Sequence, residues 1–408
     1  MKIKTAKAED IIEYIFAVAL LLGCSSVYHV MNSRLYDYAC LVLVTLLAVY
    51  KITKKRTRAK IRGNKLGIII LIYLGMILFV AVTIASMGIG FYIRFFFYVP
   101  IMLFVVGANT YEENLKFMRN ISNVIYFLVI TSVTLWVLGP LLNIVSPTGS
   151  IDIFWGYQTR FDSYYRLLYT TGIQRKYFLG QILRRNLSIY PEGPFANLIF
   201  TLGFAYEMFL NPKSPSKFKV IIYVLAMIST LSTTGMLMLL VILGIKYIFI
   251  QTSQGRKHGT SYAFRTFVVP IFVIIVGYIA STYVLDYKQI NDEGNFLAHM
   301  GDFAFGLQHF LSRPITGYGF NYTGFSLTGN NTSGLFKVLT YGGIPFGLLY
   351  LTPLFRGIYN GLQMKERGLV VFAAIVFVMF LLVIWQNTFL LLTYLCVFGA
   401  VGLTENRI

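Results

Sequence analysis

The sequence predicts an all-α polytopic membrane protein, one integral membrane domain over residues 1–408 with about twelve transmembrane helices and two large external segments. Composition is the first reason. Of 408 residues, 57% are hydrophobic and only 12% are charged, about half the charged share of a soluble domain. Spacing is the second, because apolar runs of roughly 20 residues, the thickness of a bilayer core, recur along the chain. The third is charge. The net charge of +19 collects as Lys and Arg in short stretches between apolar runs, as the positive-inside rule expects. Anionic lipid headgroups, rather than nucleic acid, are therefore the first partner of that charge.

In chain order, Lys2, Lys4 and Lys7 place the N-terminus on the cytoplasmic side. Residues 11–30 contain Glu13 and lack a small-residue cleavage site, so they read as the first span rather than a leader. A second span covers about 36–51, and the basic stretch from Lys51 to Lys65 reads as a cytoplasmic loop. Spans follow at about 66–86, 92–108 and 121–143, with 109–120 as a cytoplasmic connection. The first external segment is 146–193, and a sixth span covers 194–210.

Residues 220–250 are apolar throughout, but both flanks are basic and want the same side. The run therefore divides into two short spans turning near 230–235. Backbone freed at such depth is tolerated where protein or a cavity covers it, so this turn is either a lining of the site or an ordinary loop. A ninth span covers 267–285, the second external segment 286–332, and a tenth span 335–355. Arg356, Lys365 and Arg367 mark a cytoplasmic loop. Two last spans share 369–403, split near Gln386 and Asn387, and the C-terminus is cytoplasmic.

The most unusual polar run is 184–196. Arg184 and Arg185 are adjacent cations, and Glu192 is bracketed by Pro191, Gly193 and Pro194. The prolines forbid a helix until about Pro194, which suits the first turn of the next one. The run hangs at the mouth of a membrane helix and is positioned to grip a membrane-borne anion. The whole segment 146–193 holds six cations against three carboxylates, interleaved with Tyr and Phe. Arginine forks suit phosphate oxygens and aromatic faces suit sugar rings; an amphipathic interfacial helix is the plainer reading.

The second segment is glycine-rich, with Arg313, Pro314, Gly317, Tyr318 and Gly319 followed by Asn330 and Asn331. Those glycines suit either a close backbone approach or a flexible lid. His299 and His309 lack metal-ligand spacing, and Cys24, Cys40 and Cys396 fall inside apolar runs. Neither a metal nor a disulfide is expected. No P-loop, Rossmann fingerprint, His-Glu-x-x-His or Gly-x-Ser-x-Gly occurs, so nucleotide-driven chemistry is not expected either.

Three features together resemble the Wzy-type polysaccharide polymerases, relatives of the O-antigen ligases. These are the span count with its two outer segments, the pattern Arg185, Ser188, Ile189, Tyr190, Glu192 before a helix, and the pattern Pro314, Gly317, Tyr318, Gly319, Asn330, Asn331, Gly342, Gly343. The chain departs from the family's Glu-Pro in that Gly193 follows Glu192 and the proline comes at Pro194. Asn330-Asn331 stands where the ligases often have His-Asn, which tilts the resemblance toward polymerase. Arg313 and Gly324 meet an Arg-x10-Gly spacing of some polymerases.

The resemblance implies a GT-C-like fold and a metal-independent, cofactor-free glycosyltransferase on the outer face of the bacterial inner membrane. It would join undecaprenyl-diphosphate-linked repeat units into an O-antigen or capsule. It implies Arg184, Arg185 and Arg313 as diphosphate ligands, and Glu192 as base or as orienter of Arg185. Tyr190, Tyr318, Asn330 and Asn331 become glycan contacts, and a chain-length regulator becomes a protein partner. The alternatives are an O-antigen ligase and, from another class, a lipid-linked oligosaccharide flippase. A transporter would show midplane ionisable residues and related halves. Glu207 lies near a span end, Arg94 near the outer boundary, and no repeat relates the halves.

Overall fold

The computed structural model describes residues 2–54, 56–83, 88–155, 157–178, 181–213, 215–253, 304–320 and 333–402. Helices dominate. In order they are α1 (Lys2–Leu22), α2 (Val27–Met31), α3 (Ser33–Lys54), α4 (Arg56–Thr83), α5 (Ile89–Phe91), α6 (Val99–Ala108) and α7 (Tyr111–Trp136). After the strands come α8 (Gly193–Ala205), α9 (Lys217–Ser229), α10 (Thr233–Ser253), a helical stretch at 304–312, α11 (Gly334–Gln363), α12 (Arg367–Leu382) and α13 (Phe389–Ala400). π-Helical turns join α5 to α6 and end α7 and α8. Among the described residues, five helices are long and apolar enough to cross a membrane, so the architecture is that of a helical membrane protein. The expected ninth span lies outside the described residues.

Several boundaries differ from the sequence expectation. The basic stretch 51–65 is helical: α3 runs through it to Lys54 and α4 starts at Arg56. Lys51 is buried and pairs with Glu9 of α1. The stretch 109–120 is also mostly helix. Thr110 and Glu113 form a reciprocal capping box, with Thr110 N–H donating to Glu113 Oε2 at 2.8 Å and Glu113 N–H to Thr110 Oγ1 at 3.2 Å. Lys116 pairs with Asp10, and Asn120 Nδ2 donates to Glu13 Oε2 at 2.8 Å. These contacts tie α1, α3 and α7 together at one end of the bundle.

Residues 149–184, within the segment expected to lie outside, depart locally from helix. They form a three-stranded antiparallel sheet, β1 (Gly149–Trp155), β2 (Tyr157–Tyr164) and β3 (Leu168–Thr170), and a hairpin of β4 (Arg175–Phe178) with β5 (Gln181–Arg184). Ile151, Ile153 and Trp155 alternate with Asp152 and Phe154, a period-two pattern that buries one face. Ile153, Phe161 and Tyr169 pack with Val27 of α2 and Leu187 into a small core separate from the main one. The sheet thereby sits on the α1–α2 end of the bundle.

In α11 the helix breaks at Gly342 and Gly343 (φ 62°, ψ −159°). The turn at 314–320 docks into that break. Tyr318 N–H donates to Thr340 O at 2.8 Å, Gly319 N–H to Tyr341 O at 2.9 Å, and Ile344 N–H to Pro314 O at 2.7 Å. The two glycine-bearing halves of the second sequence pattern thus meet through backbone hydrogen bonds. Gly343 holds a backbone conformation that is open essentially to glycine alone, and a Cβ there would run into the Pro314 and Ile315 carbonyls. Gly343→Ala is therefore expected to destabilise by at least about 1–3 kcal/mol. A lowered unfolding midpoint, together with faster proteolysis within 314–320, is the outcome to look for; unchanged values for both would contradict this account of the kink.

Candidate functional site

The run 184–196 threads between the sheet, the α1–α2 turn and the turn joining α9 to α10. Asn186 N–H donates to Ser229 O and its Nδ2 to Ser229 Oγ, both at 2.9 Å. Ser188 N–H closes an Asx turn on Asn186 Oδ1 at 3.0 Å. Tyr169 N–H donates to Ser188 O at 2.8 Å, and Val27 N–H to Ile189 O at 2.9 Å. Three separate elements therefore fix this run before α8 begins at Gly193.

Arg184 and Arg185 do different things because consecutive strand residues face opposite ways. Arg184 ends β5 and turns to the sheet, where Nη1 donates to Asp162 Oδ2 at 2.6 Å. Arg185 turns into the bundle. Its half-buried side chain donates from Nε to Thr230 O at 2.7 Å. The guanidinium lies over Gly193 so closely that any Cβ at 193 would overlap it. The turn at 230–235 thus meets the run 184–196 through Thr230.

Glu192 is near enough for its charge to act on Arg185, but among the described residues Arg185 makes no ion pair. Glu192 Oε1 instead accepts from Trp155 Nε1, and the Trp155 ring meets Phe195 edge-on at 6.0 Å. Gln174 spans the loop, with Nε2 donating to Pro191 O at 2.7 Å and Oε1 accepting from Gly193 N–H at 3.4 Å.

Several other cations of the bundle are paired with carboxylates. Arg94 is forked by Asp37 at 2.8 and 3.1 Å, with His29 Nε2 at 3.4 Å from the same carboxylate. Lys51 has Glu9, and Lys219 has Glu207 at 2.8 Å. Arg185 keeps a cation whose two Nη groups have no acceptor among the described residues. Burial lowers its pKa from 12.5 to about 10, with the Glu192 carboxylate acting in the opposite direction, so it stays charged at neutral pH.

The remaining expected site residues lie elsewhere. Tyr190 is wholly buried, and its hydroxyl donates to Leu21 O at 3.4 Å. It is a packing residue that wedges the loop against α1, not a face offered to a sugar. Arg313 stacks over the Tyr318 ring at 4.7 Å, and Tyr318 Oη is 2.7 Å from Ser312 Oγ. No described contact joins this group to Arg185. Asn330 and Asn331 lie outside the described residues. Among those that are described, no group of His, Cys, Asp and Glu could hold a metal ion.

Sequence reading missed Trp155 and Gln174. The Trp155 position was available from the period-two pattern of β1, whereas nothing local marks Gln174. Gly193→Ala is expected to push the guanidinium off Thr230 and lower stability by about 1–3 kcal/mol, the range for losing a charge-assisted buried bond. Faster labelling of Arg185 by an arginine-directed dicarbonyl reagent would accompany it, whereas unchanged labelling would contradict the close seat. Comparison with family models, curated proteins and solved structures gives no match for this chain.

Proposed function

We propose that this chain is a membrane glycosyltransferase that joins lipid-diphosphate-linked oligosaccharide units into a surface polysaccharide. One observation carries the reading: a half-buried, charged guanidinium, anchored through Nε, whose two Nη groups have no acceptor among the described residues. That arrangement suits the oxygens of a phosphate. In this reading the sheet end of the bundle is the outer face of a bacterial inner membrane. The ion-paired end around Glu9, Asp10 and Lys51 is then cytoplasmic, and the full chain has about twelve spans with both termini inside.

The chemistry needs little machinery. A hydroxyl of the acceptor unit attacks the anomeric carbon of the donor glycan. The bond from that carbon to the phosphate oxygen breaks, and its electron pair leaves with the lipid diphosphate. Arg185 stabilises the charge that develops there. The hydroxyl proton passes to the Glu192 carboxylate, which Trp155 Nε1 holds in place. Among the described ionisable residues of the bundle, Asp37 and Arg94 pair with each other, Glu207 pairs with Lys219, and Glu13, midway along α1, accepts from Asn120. That favours surface transfer over transport through the bilayer.

The test uses purified full-length protein with a synthetic undecaprenyl-diphosphate repeat unit, a chelator and no nucleotide. Wild type is expected to produce a product ladder. Arg185→Ala is expected to lower the yield on the order of 10²–10³-fold, the cost of losing one preorganised charge-stabilising donor. Arg185→Lys should retain part of the yield, because a point charge cannot fork. A ladder that survives Arg185→Ala removes this site, and substrate binding without a ladder points instead to a ligase or flippase. Activity should be insensitive to Arg185 titration near neutrality and should fall as pH rises through about 10, where the guanidinium loses its proton.

A further inference from the structure

The end of the bundle away from the sheet carries an open cavity on one face of α11. Thr352, Phe355, Arg356, Tyr359 and Asn360 line it, and its volume is about 570 Å³. Steps of three and four residues set these side chains along one stripe of the helix. Neighbouring contacts fix the level. Gly361 abuts Val370 near the start of α12, and Gly368 abuts the Phe209 carbonyl at the far end of α8. α8 starts at Gly193 beside the sheet, so the cavity lies at the opposite end of the bundle.

Arg356 is partly buried, and among the described residues no hydrogen bond or ion pair engages its guanidinium. No charged group among them acts on it either. Lys51, Arg94 and Lys219 each have a carboxylate; Arg356 has an opening instead. A partly desolvated cation is costly without a counter-charge. The rest of the stripe is apolar and uncovered. Phe355 and Tyr359 are 55% and 62% exposed, and Phe355 meets Phe377 of α12 at 6.1 Å. α11 is long and apolar enough to cross a membrane, so such exposure marks a lipid-facing stripe. Arg356 lies about 10 Å short of the C-terminal end of α11 along the axis. An arginine at that depth reaches the headgroup level with its charge and keeps its stem in the apolar layer. Tyr359, nearer the end, suits the membrane–water boundary.

We propose that this cavity binds one anionic phospholipid. Its phosphate sits on the Arg356 guanidinium, its headgroup lies between Tyr359 and Asn360, and its acyl chains run over Phe355. The guanidinium fork suits two phosphate oxygens. A lipid supplies the missing counter-charge and the missing apolar cover together. A soluble anion serves the arginine but leaves Phe355 and Tyr359 bare, and a neutral lipid does the reverse. The volume is that of a site for a whole small ligand, more than a bare anion needs. The site does not depend on the reading of Arg185, which only places it in the cytoplasmic leaflet.

The experiment uses full-length protein in detergent, stripped of lipid, with bound molecules counted by native mass spectrometry. The probes are phosphatidylglycerol and the diacylglycerol with the same chains, with inorganic phosphate as competitor. The variants are Arg356→Gln, Tyr359→Ala and, as a control at an exposed cation of the same end, Arg367→Gln. Wild type should hold one phosphatidylglycerol about tenfold more tightly than diacylglycerol, the worth of a charge-assisted hydrogen bond. Arg356→Gln should erase that preference, and Arg367→Gln should leave it within about twofold. Tyr359→Ala should weaken both lipids several-fold. Its exposed side chain leaves the unfolding midpoint of lipid-free protein in place, so it keeps the test decisive should Arg356→Gln fail to fold.

Equal binding of the two lipids by wild type overturns the proposal. So do equal losses in Arg356→Gln and Arg367→Gln, which indicate diffuse surface charge rather than a seat. Displacement of the lipid by millimolar inorganic phosphate makes the site one for a soluble anion and overturns the assignment to lipid. Unchanged binding in Tyr359→Ala removes the cavity as the place of contact.

Discussion

The hydrogen bond from Arg185 Nε to Thr230 O sets the geometry on which the rest of the site depends. Taking a guanidinium out of water costs several kcal/mol. One charge-assisted bond returns about 1.5–3 kcal/mol. Thr230 caps the C-terminus of α9, and the negative end of a helix adds up to about 2 kcal/mol for a nearby cation. Those gains roughly offset the burial without exceeding it, and the lowered pKa of the group records the balance. The guanidinium lies over Gly193 at the N-terminal end of α8, where the positive end of that helix opposes the burial of a cation.

The surrounding architecture holds this arrangement in place. Trp136 Nε1 of α7 donates to Arg184 O at 2.8 Å, and Arg184 locks onto Asp162. The end of β5 is thus pinned from two sides, so the next residue has one direction left. Gln174 bridges Pro191 and Gly193, which keeps the proline-bounded turn from sliding over the α8 terminus. Tyr190 drives its ring into the core beside α1. Its burial wedges the run 184–196 against α1.

Much of the bundle was legible. The apolar runs, the split of 220–250 at Thr230 and the break between α12 and α13 beside Asn387 follow from hydropathy and charge alone. The capping box at Thr110 and Glu113 was missed, and so were the helix extensions, because Lys and Arg are good helix formers and their charge marked sidedness, not a chain break. The strands were missed, and the segment was left as either a phosphate-and-sugar shelf or an interfacial helix, because aromatic and basic residues drew attention away from the Ile151, Ile153, Trp155 alternation. The pairing of Arg184 with Asp162 depends on strand register, which is not a local property of the sequence.

Gly193 brings sequence and geometry together. In the resembling family a proline directly follows the acidic residue, whereas here glycine intervenes and the proline moves to 194. Any side chain at 193, proline's ring included, would occupy the seat of the Arg185 guanidinium. The displaced proline still falls in the first turn of α8, where its missing N–H costs nothing. The departure therefore preserves the helix start and opens room for a cation directly above its N-terminus. A chain with proline at 193 would have to hold its arginine elsewhere, so the glycine and the arginine form one structural choice.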